Sequence, residues 1–285
     1  MNARISVIVL THNRVHEVTR TVERLLALPE KPPVIVADNG SHDSTASVLR
    51  QRFPAIRVVE CGRNLGAAGR NRAAMLATTD YLAFSDDDTH WQPGSLAEAV
   101  RVLDAAPHLA VLSGKVLVGE AGGIDATCAR MRASPLARDG LPGPALIGYM
   151  AGACVFRTEV FREVGGYEPR LFIGGEEELV ALDVLHAGHA IVYCDSIVTT
   201  HCPSPFRDAP LRRRMSARNA ALVAWLRLPC SEALAATWRA FALLAREGGL
   251  RSDAPAWLRE IRWAMRRRRV VDAHVIRLRR DVRRA

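Results

Sequence analysis

The sequence predicts an α/β fold: a mostly parallel central sheet flanked by helices, with a helical extension at the C-terminus. Three observations predict it. Short β-branched runs alternate with helix-length segments over the first 120 residues, the pattern that builds right-handed βαβ units. Small and acidic residues cluster just after the strand runs, where open α/β sheets bind their ligands. From Arg207 onward the pattern is helical.

The elements follow in order. Ile5 to Leu10 is apolar but for Ser6 and reads as a buried strand, and Val15 to Leu28 carries Val15, Val18, Val22, Leu25 and Leu26 at helical spacing. Val34 to Ala37 is a second strand, Ser44 to Phe53 a helix, Ile56 to Val59 a third strand and Ala67 to Leu76 a helix. Tyr81 to Phe84 is a fourth strand, Gly94 to Leu103 a helix and Leu109 to Val118 a further strand. Gly119 to Pro144 is rich in Gly, Pro and Arg and reads as a long loop. Tyr149 to Arg157 resumes strand character. Thr158 to Val164 is a short helix closed by Gly165-Gly166, Glu176 to His186 is helical up to Gly188, and Ile191 to Cys194 is a last strand. The helical C-terminal pattern is broken at Pro229 and Pro255. The expected organisation is an α/β unit over 1–205, with halves at about 1–118 and 119–205, and a basic helical extension over 206–285.

The 285 residues include 49% hydrophobic, 24% charged and 6% aromatic side chains, a balance that excludes a disordered, collagenous or fibrous chain. The longest nearly uncharged apolar stretch, Ala145 to Phe156, is too short to cross about 30 Å of hydrocarbon. No signal peptide is read before Ile5. Cys61, Cys128, Cys154, Cys194, Cys202 and Cys230 form no C-x-x-C pair, so neither a disulfide framework nor a zinc ribbon is expected, and a cytoplasmic setting is. The net charge is +9, yet Arg251 to Ala285 alone holds twelve arginines against four acids, +8, so the basic character belongs to the tail. Arginine outnumbers lysine 37 to 2, a usage that suits a GC-rich bacterial genome.

Three segments carry candidate chemistry. Asp86-Asp87-Asp88 follows the Tyr81 strand directly, and three adjacent carboxylates are unfavourable unless a cation offsets them. An extended backbone would put Asp86 and Asp88 on one side, as a clamp for a divalent ion, with Asp87 pointing elsewhere. The plain alternative is a solvated acidic turn that caps the next helix. After the second strand, Asn39-Gly40 supplies a tight turn and Asp43 or Ser44 an N-cap; neither needs Asp38, which is therefore free to bind a base or ribose. Asn64, Gly66 and Arg70 form a small-residue helix entry that lets backbone approach a diphosphate, although no Walker spacing is present.

The order of these motifs is more specific than any one of them. Val7-Ile-Val-Leu-Thr-His-Asn-Arg14, Ala37-Asp-Asn-Gly-Ser-His-Asp-Ser-Thr45, Asn64-Leu-Gly-Ala-Ala-Gly-Arg-Asn71 and Phe84-Ser-Asp-Asp-Asp88 are followed by Ala151-Gly-Ala-Cys-Val-Phe-Arg157, Val164-Gly-Gly-Tyr167 and Gly175-Glu-Glu-Glu-Leu179. Over Ile5 to His201 the chain resembles the family 2 glycosyltransferases, which have the Rossmann-type GT-A fold. The resemblance implies a nucleotide-sugar donor bound by Thr11, Arg14, Asp38, Asn64, Gly66 and Arg70, with Asp86 and Asp88 holding Mn²⁺ or Mg²⁺ and Asp87 near the sugar. It implies that His201, after the last strand, completes the metal site; a lone histidine is as readily structural. Glu177, with Glu176 second, matches the general base of an inverting transfer, while Glu replaces the family's usual Asp and Asp183 stands where arginine is frequent. Acids at a helix N-terminus are also favoured by the dipole alone. Gly152 and Ala153 border the acceptor or simply pack tightly, and Trp91 either stacks on a sugar or covers the core.

The resemblance makes a glycan, a lipid-linked molecule or a small molecule the expected acceptor. The tail's arginines, interleaved with Val, Ile and Leu, form a solvated face or a contact with the inner face of the membrane; with few aromatics beside them, nucleic acid is not expected. A sugar nucleotidyltransferase would carry a basic glycine-rich loop where Thr11 to Arg14 stand, and an inactive nucleotide-sugar-binding module would have lost Asp86, Asp88 or the Glu176-Glu177 pair. A redox enzyme would show G-x-G-x-x-G after the first strand.

Overall fold

The computed structural model describes residues 3–119, 122–203 and 209–285. Along the chain run β1 (Ile5–Thr11), α1 (Val15–Leu26), β2 (Val34–Asp38), α2 (Thr45–Arg52), β3 (Arg57–Glu60), α3 (Gly69–Ala74), β4 (Tyr81–Asp86), β5 (Thr89–Trp91), α4 (Ser95–Ala105) and β6 (Leu109–Val118). They are followed by β7 (Gly123–Ile124), α5 (Ala126–Arg132), β8 (Cys154–Arg157), α6 (Thr158–Glu163), α7 (Glu176–His186) and β9 (Ala190–His201). Four helices close the chain: α8 (Ala209–Arg227), α9 (Cys230–Arg246), α10 (Leu250–Arg266) and α11 (Ala273–Arg284).

The strands form one sheet in the order β3-β2-β1-β4-β8-β6-β9-β5, with β7 added on β6. The α/β expectation holds, and the sheet is mixed. β3, β2, β1 and β4 are parallel, whereas β8 lies antiparallel between β4 and β6, and β5 antiparallel on β9. The alternation of a strand sorts β1 onto two cores. Val7 and Val9 face α1, α2 and α4 with Val18, Leu49 and Leu96, while Ile8 faces the opposite layer with Phe84, Phe156 and Leu182. That second layer continues without interruption into Leu222, Leu244, Trp257 and Val275, so the C-terminal helices extend it by packing on α7 and on one another.

Several expectations change. Asp86 closes β4, and Asp87-Asp88 form a turn into β5 in place of an extended run; β5 itself was not anticipated. The strand expected over Tyr149 to Arg157 begins only at Cys154, after a single 3-10 turn at Ala151–Ala153. The last strand runs on to His201, so that histidine closes the strand instead of following it. The Gly119 to Pro144 loop contains β7 and α5, whose N-cap Asp125 accepts from Thr127 N at 2.7 Å; residues 120 and 121 lie outside the described residues. Pro255 does not break a helix. It is the sixth residue of α10, which continues through it with the loss of one N–H donor, and the break falls at Gly248-Gly249. Arg207 and the 205/206 boundary also lie outside the described residues.

Candidate active site

Parallel register sets Thr11 beside Asp38 and Leu10 beside Asp86, so the carboxyl ends of β1, β2 and β4 open on one edge of the sheet. There a cleft of about 420 Å³ is lined by ten of the residues singled out from sequence: Thr11, Arg14, Asn64, Gly66, Arg70, Asp86, Asp87, Asp88, Glu176 and Glu177.

The acidic turn is held by cations and by its own backbone. Asp86 N donates to Thr89 Oγ1 at 2.6 Å, Thr89 Oγ1 donates to Gly152 O at 3.1 Å, and Cys202 N donates to Asp88 O at 2.8 Å. Arg70, buried against the Tyr167 ring, pairs with Asp86. Arg14 Nη1 lies 2.9 Å from Asp87 Oδ1 and 3.5 Å from Asp88 Oδ2, and His201 Nε2 lies 3.6 Å from Asp88 Oδ1. Burial opposes the charge on Arg70, but Asp86, Tyr167 and Glu177 hold its guanidinium charged, well above the usual range. Burial likewise pushes the Asp87 carboxyl up to about 7, with Arg14 pulling it down and Asp88 and Asp86 pushing it further up.

These donors fit a hard divalent ion. Asp88 and His201 supply an oxygen and a nitrogen from neighbouring strand ends, and among the described residues no third His, Cys, Asp or Glu joins them in a complete protein cage. A site with few protein ligands is suited to an ion whose remaining positions are filled by phosphate oxygens and water. The expected clamp is divided: Asp88 faces His201, whereas Asp86 faces Arg70. Asp87 does not point away but shares Arg14 with Asp88.

The opposite wall is the start of α7. Glu176 is buried and Glu177 half-buried, both on the cleft, whereas Glu178 turns outward to Arg279 of α11 at 2.6 Å. Gly174 and Gly175, both at positive φ, bring the chain into α7 close under α8; a Cβ on Gly174 would stand 2.6 Å from Ser216 Oγ. Asn219 of α8 is fully buried there. Its amide nitrogen lies 2.6 Å from Leu171 O, 3.0 Å from Ile173 O and 2.5 Å from Gly174 O, two N–H groups shared among three carbonyls.

The family model of glycosyl transferase family 2 matches residues 6–165. The chain belongs to that family. Among curated proteins it is 25% identical over 232 residues to the N-acetylglucosaminyl-diphospho-decaprenol L-rhamnosyltransferase of Mycobacterium tuberculosis, covering 68% of this chain and 75% of that protein. The mannosyltransferase PcManGT of Pyrobaculum calidifontis, solved with GDP-Man and Mn²⁺, superposes with a TM-score of 0.63 at 21% identity over 98% of this chain and 86% of that one. GalNAc-T7, solved with UDP, GalNAc and Mn²⁺, gives a TM-score of 0.61 at 16% identity over 79% of this chain, which spans about half of that longer protein, 48%. These structures establish a shared GT-A fold.

Within this family 2 glycosyltransferase, five residues singled out from sequence do not line the cleft. Trp91 is buried in the core between the sheet and α1 and α4, because β5 pairs with β9 and draws it inward, so it is placed to cover the core and not to stack on a sugar. Ala153 is buried beside β4. Gly152 lies next to the turn, where a Cβ would stand 2.7 Å from Asp86 Oδ2; the missing side chain leaves room for that carboxylate. Asp38 is buried, and the turn does use it: Oδ1 accepts from both Ser41 N and Ser41 Oγ. His201 adjoins the cleft through Asp88.

The glycosyltransferase also recruits residues that the sequence did not single out for this role. Asn39, read only as a turn former, donates to Asn64 Oδ1 and Gly66 O, both at 2.9 Å, and accepts from Leu65 N at 3.0 Å. Phe172 and Ile173 come from a loop with no periodic signal. Phe172 O accepts from Ala67 N at 2.7 Å, and a Cβ on Gly66 would lie 2.0 Å from that oxygen. His12 and Ala151 complete the wall.

Proposed function

We propose that this glycosyltransferase moves a sugar from a nucleoside-diphosphate sugar to an acceptor hydroxyl with inversion at the anomeric carbon, assisted by Mn²⁺ or Mg²⁺. The observation that carries the reading is the arrangement of the cleft: an acidic turn with two arginines and a histidine on one wall, and the Glu176-Glu177 start of α7 on the other. Thr11, Arg14, Asn64, Gly66 and Arg70 border the donor's nucleotide, with Asp38 beneath the turn that carries Asn39. Asp88 and His201 would hold the ion, with Asp86, paired with Arg70, next to them. A bound divalent cation would supply the positive charge that stabilises a departing diphosphate.

Glu177 accepts the proton of the acceptor hydroxyl as its oxygen bonds to the anomeric carbon. The bond from that carbon to the diphosphate breaks on the opposite face, and its electron pair leaves with the phosphate oxygen. Glu178, tied to Arg279, is not available for this, which leaves Glu177 the favoured base and Glu176 the second. Residues 1–118 serve the donor and 119–205 the acceptor, with Gly152 and Ala153 at the junction. The mycobacterial relative's name points to a lipid-linked acceptor; this fits a cytoplasmic enzyme working at the inner face of the membrane, with the basic C-terminal helices in contact with it.

The test is release of nucleoside diphosphate from UDP-, GDP- and dTDP-sugars with Mn²⁺ or Mg²⁺, comparing the wild type with Asp88→Ala and Glu177→Gln. Metal-dependent release from one donor, lost in both variants, is the expected result. Release that survives Asp88→Ala unchanged, or that needs no metal, overturns the metal assignment; release from no donor, without metal-dependent nucleotide binding, overturns the reading as a whole.

A further inference from the structure

We propose that the start of α9 and the end of α10 form a surface that rests on an anionic lipid bilayer. Among the described residues, five of the seven exposed large hydrophobic side chains lie on these two helices and the segment after them: Leu234, Trp238, Leu258, Met265 and Val270. Trp238 is 77% exposed and Leu234 60%, and they stand one helical turn apart on α9. An indole left in water is costly in apolar area, and a bilayer interface is a place where its amphipathic ring is favoured.

The two helices bring Leu234, Trp238, Met265 and Val270 to one end of the helical layer, with Leu258 further along α10. Trp225 Nε1 donates to Thr237 Oγ1, next to Trp238, at 2.9 Å, and Arg268 stacks on the same Trp225 ring. Arg269 N donates to Leu226 O at 2.8 Å and Val271 N to Arg227 O at 2.9 Å, which sets the chain leaving α10 beside the end of α8 and hence the start of α9. The exposed Arg239 adjoins Trp238 in the chain, and the exposed Arg266, Arg267 and Arg269 stand between Met265 and Val270.

Charge complementarity names the occupant. Residues 209–285 hold nineteen arginines against six acids, +13. Not all of that charge faces outward: Arg268 donates to Trp225 O and Leu228 O, Arg279 pairs with Glu178, and Arg283 with Glu232. The basic tail is thus partly internal, and the lipid-facing charge belongs to the end of α10. Exposed tryptophan and leucine beside outward arginines, on helices too polar to cross a bilayer, are the features of a monotopic contact with anionic headgroups. The inference deepens the membrane contact proposed above and stands on this surface alone.

The test is co-sedimentation of the full chain with phosphatidylcholine vesicles and with vesicles containing phosphatidylglycerol, alongside tryptophan fluorescence. Binding only to the anionic vesicles is expected, with an emission blue shift that Trp238→Phe abolishes. Replacing Arg266, Arg267 and Arg269 with Gln is expected to weaken binding about a hundredfold, and Leu234→Ser with Trp238→Ser about tenfold or more. Both variants change exposed side chains outside the cleft, so nucleoside diphosphate release from soluble donor should be unchanged, which separates this test from that of the transferase reading. Binding to neither vesicle, equal binding to both, or anionic binding indifferent to the Leu234 and Trp238 changes overturns the proposal. So does light scattering that shows a dimer dissolved by Trp238→Ser, which assigns the surface to a second copy, or DNA that displaces the vesicles.

Discussion

Three consecutive carboxylates stand at the end of β4 because cations are placed against each of them: Arg70 for Asp86, Arg14 for Asp87 and Asp88, and His201 beside Asp88. The neighbouring glutamates divide their work by direction. Glu177→Gln is expected to slow transfer by about 10²–10⁴-fold with little change in donor affinity, measured by turnover alongside calorimetric donor binding. Glu178→Gln should instead lower thermal stability through the Arg279 pair and leave the turnover within about tenfold; the reverse pattern removes Glu177 as base. Asp43 makes a simpler residue-scale case. It accepts from Val15 N and from Thr45, tying the starts of α1 and α2 together; burial opposes the shift, but these bonds hold its carboxyl below the ordinary 3.8. Because the folded value is the lower one, the stabilisation is present at neutral pH and is lost as the pH falls from about 4 through the folded value. Asp43→Ala should cost about 1 kcal/mol at pH 7 and much less in strong acid. Denaturant melts at both pH values measure this, and an equal loss at both would refute the account.

Among the elements, α8 decides where α7 begins. Asn219 spans carbonyls on both sides of the Phe172 bend, and Phe172 in turn closes over Gly66, so the loop before α7 is caught between a C-terminal helix and the segment proposed to border the nucleotide. Asn219→Ala leaves buried carbonyls short of donors and should cost about 1–3 kcal/mol. Hydrogen exchange should speed up over residues 171–175, with turnover falling further than donor affinity. Unchanged exchange there would show that Asn219 does not hold the loop. This contact also marks what a local reading can see. The acidic turn, the Asn64 segment and the Glu176 start were legible because each lies just past a strand run or at a helix entry, places where composition alone changes. Asn39, Phe172 and Asn219 were not, since their partners lie 25 to 105 residues away and no periodicity announces them. Trp91 was ambiguous for the same reason: its burial comes from β5 pairing with β9, more than a hundred residues later.

Across the whole molecule, the mixed sheet has two faces with different owners. One is covered by helices from the first half of the chain; the other needs Leu222, Leu244, Trp257 and Val275 from the helices after β9. The alternating strands and helices made the first face readable in the sequence, whereas the helical C-terminal pattern announced helices without saying what they cover. A chain ended after Pro203 should therefore fail to fold cooperatively, exposing Phe161, Leu182 and Val184 to water. Circular dichroism melts and dye binding would show this. A soluble truncated chain with a sharp transition would mean that the sheet stands without its last helices.

The Asn219 and Arg279 contacts have a consequence for synthesis. The groups they hold, Leu171 and Glu178, precede them by 48 and 101 residues, so the ribosome has released the proposed base long before its anchors exist. Until the segments that carry Asn219 and Arg279 have been made, a nascent chain therefore lacks the contacts that fix the start of α7.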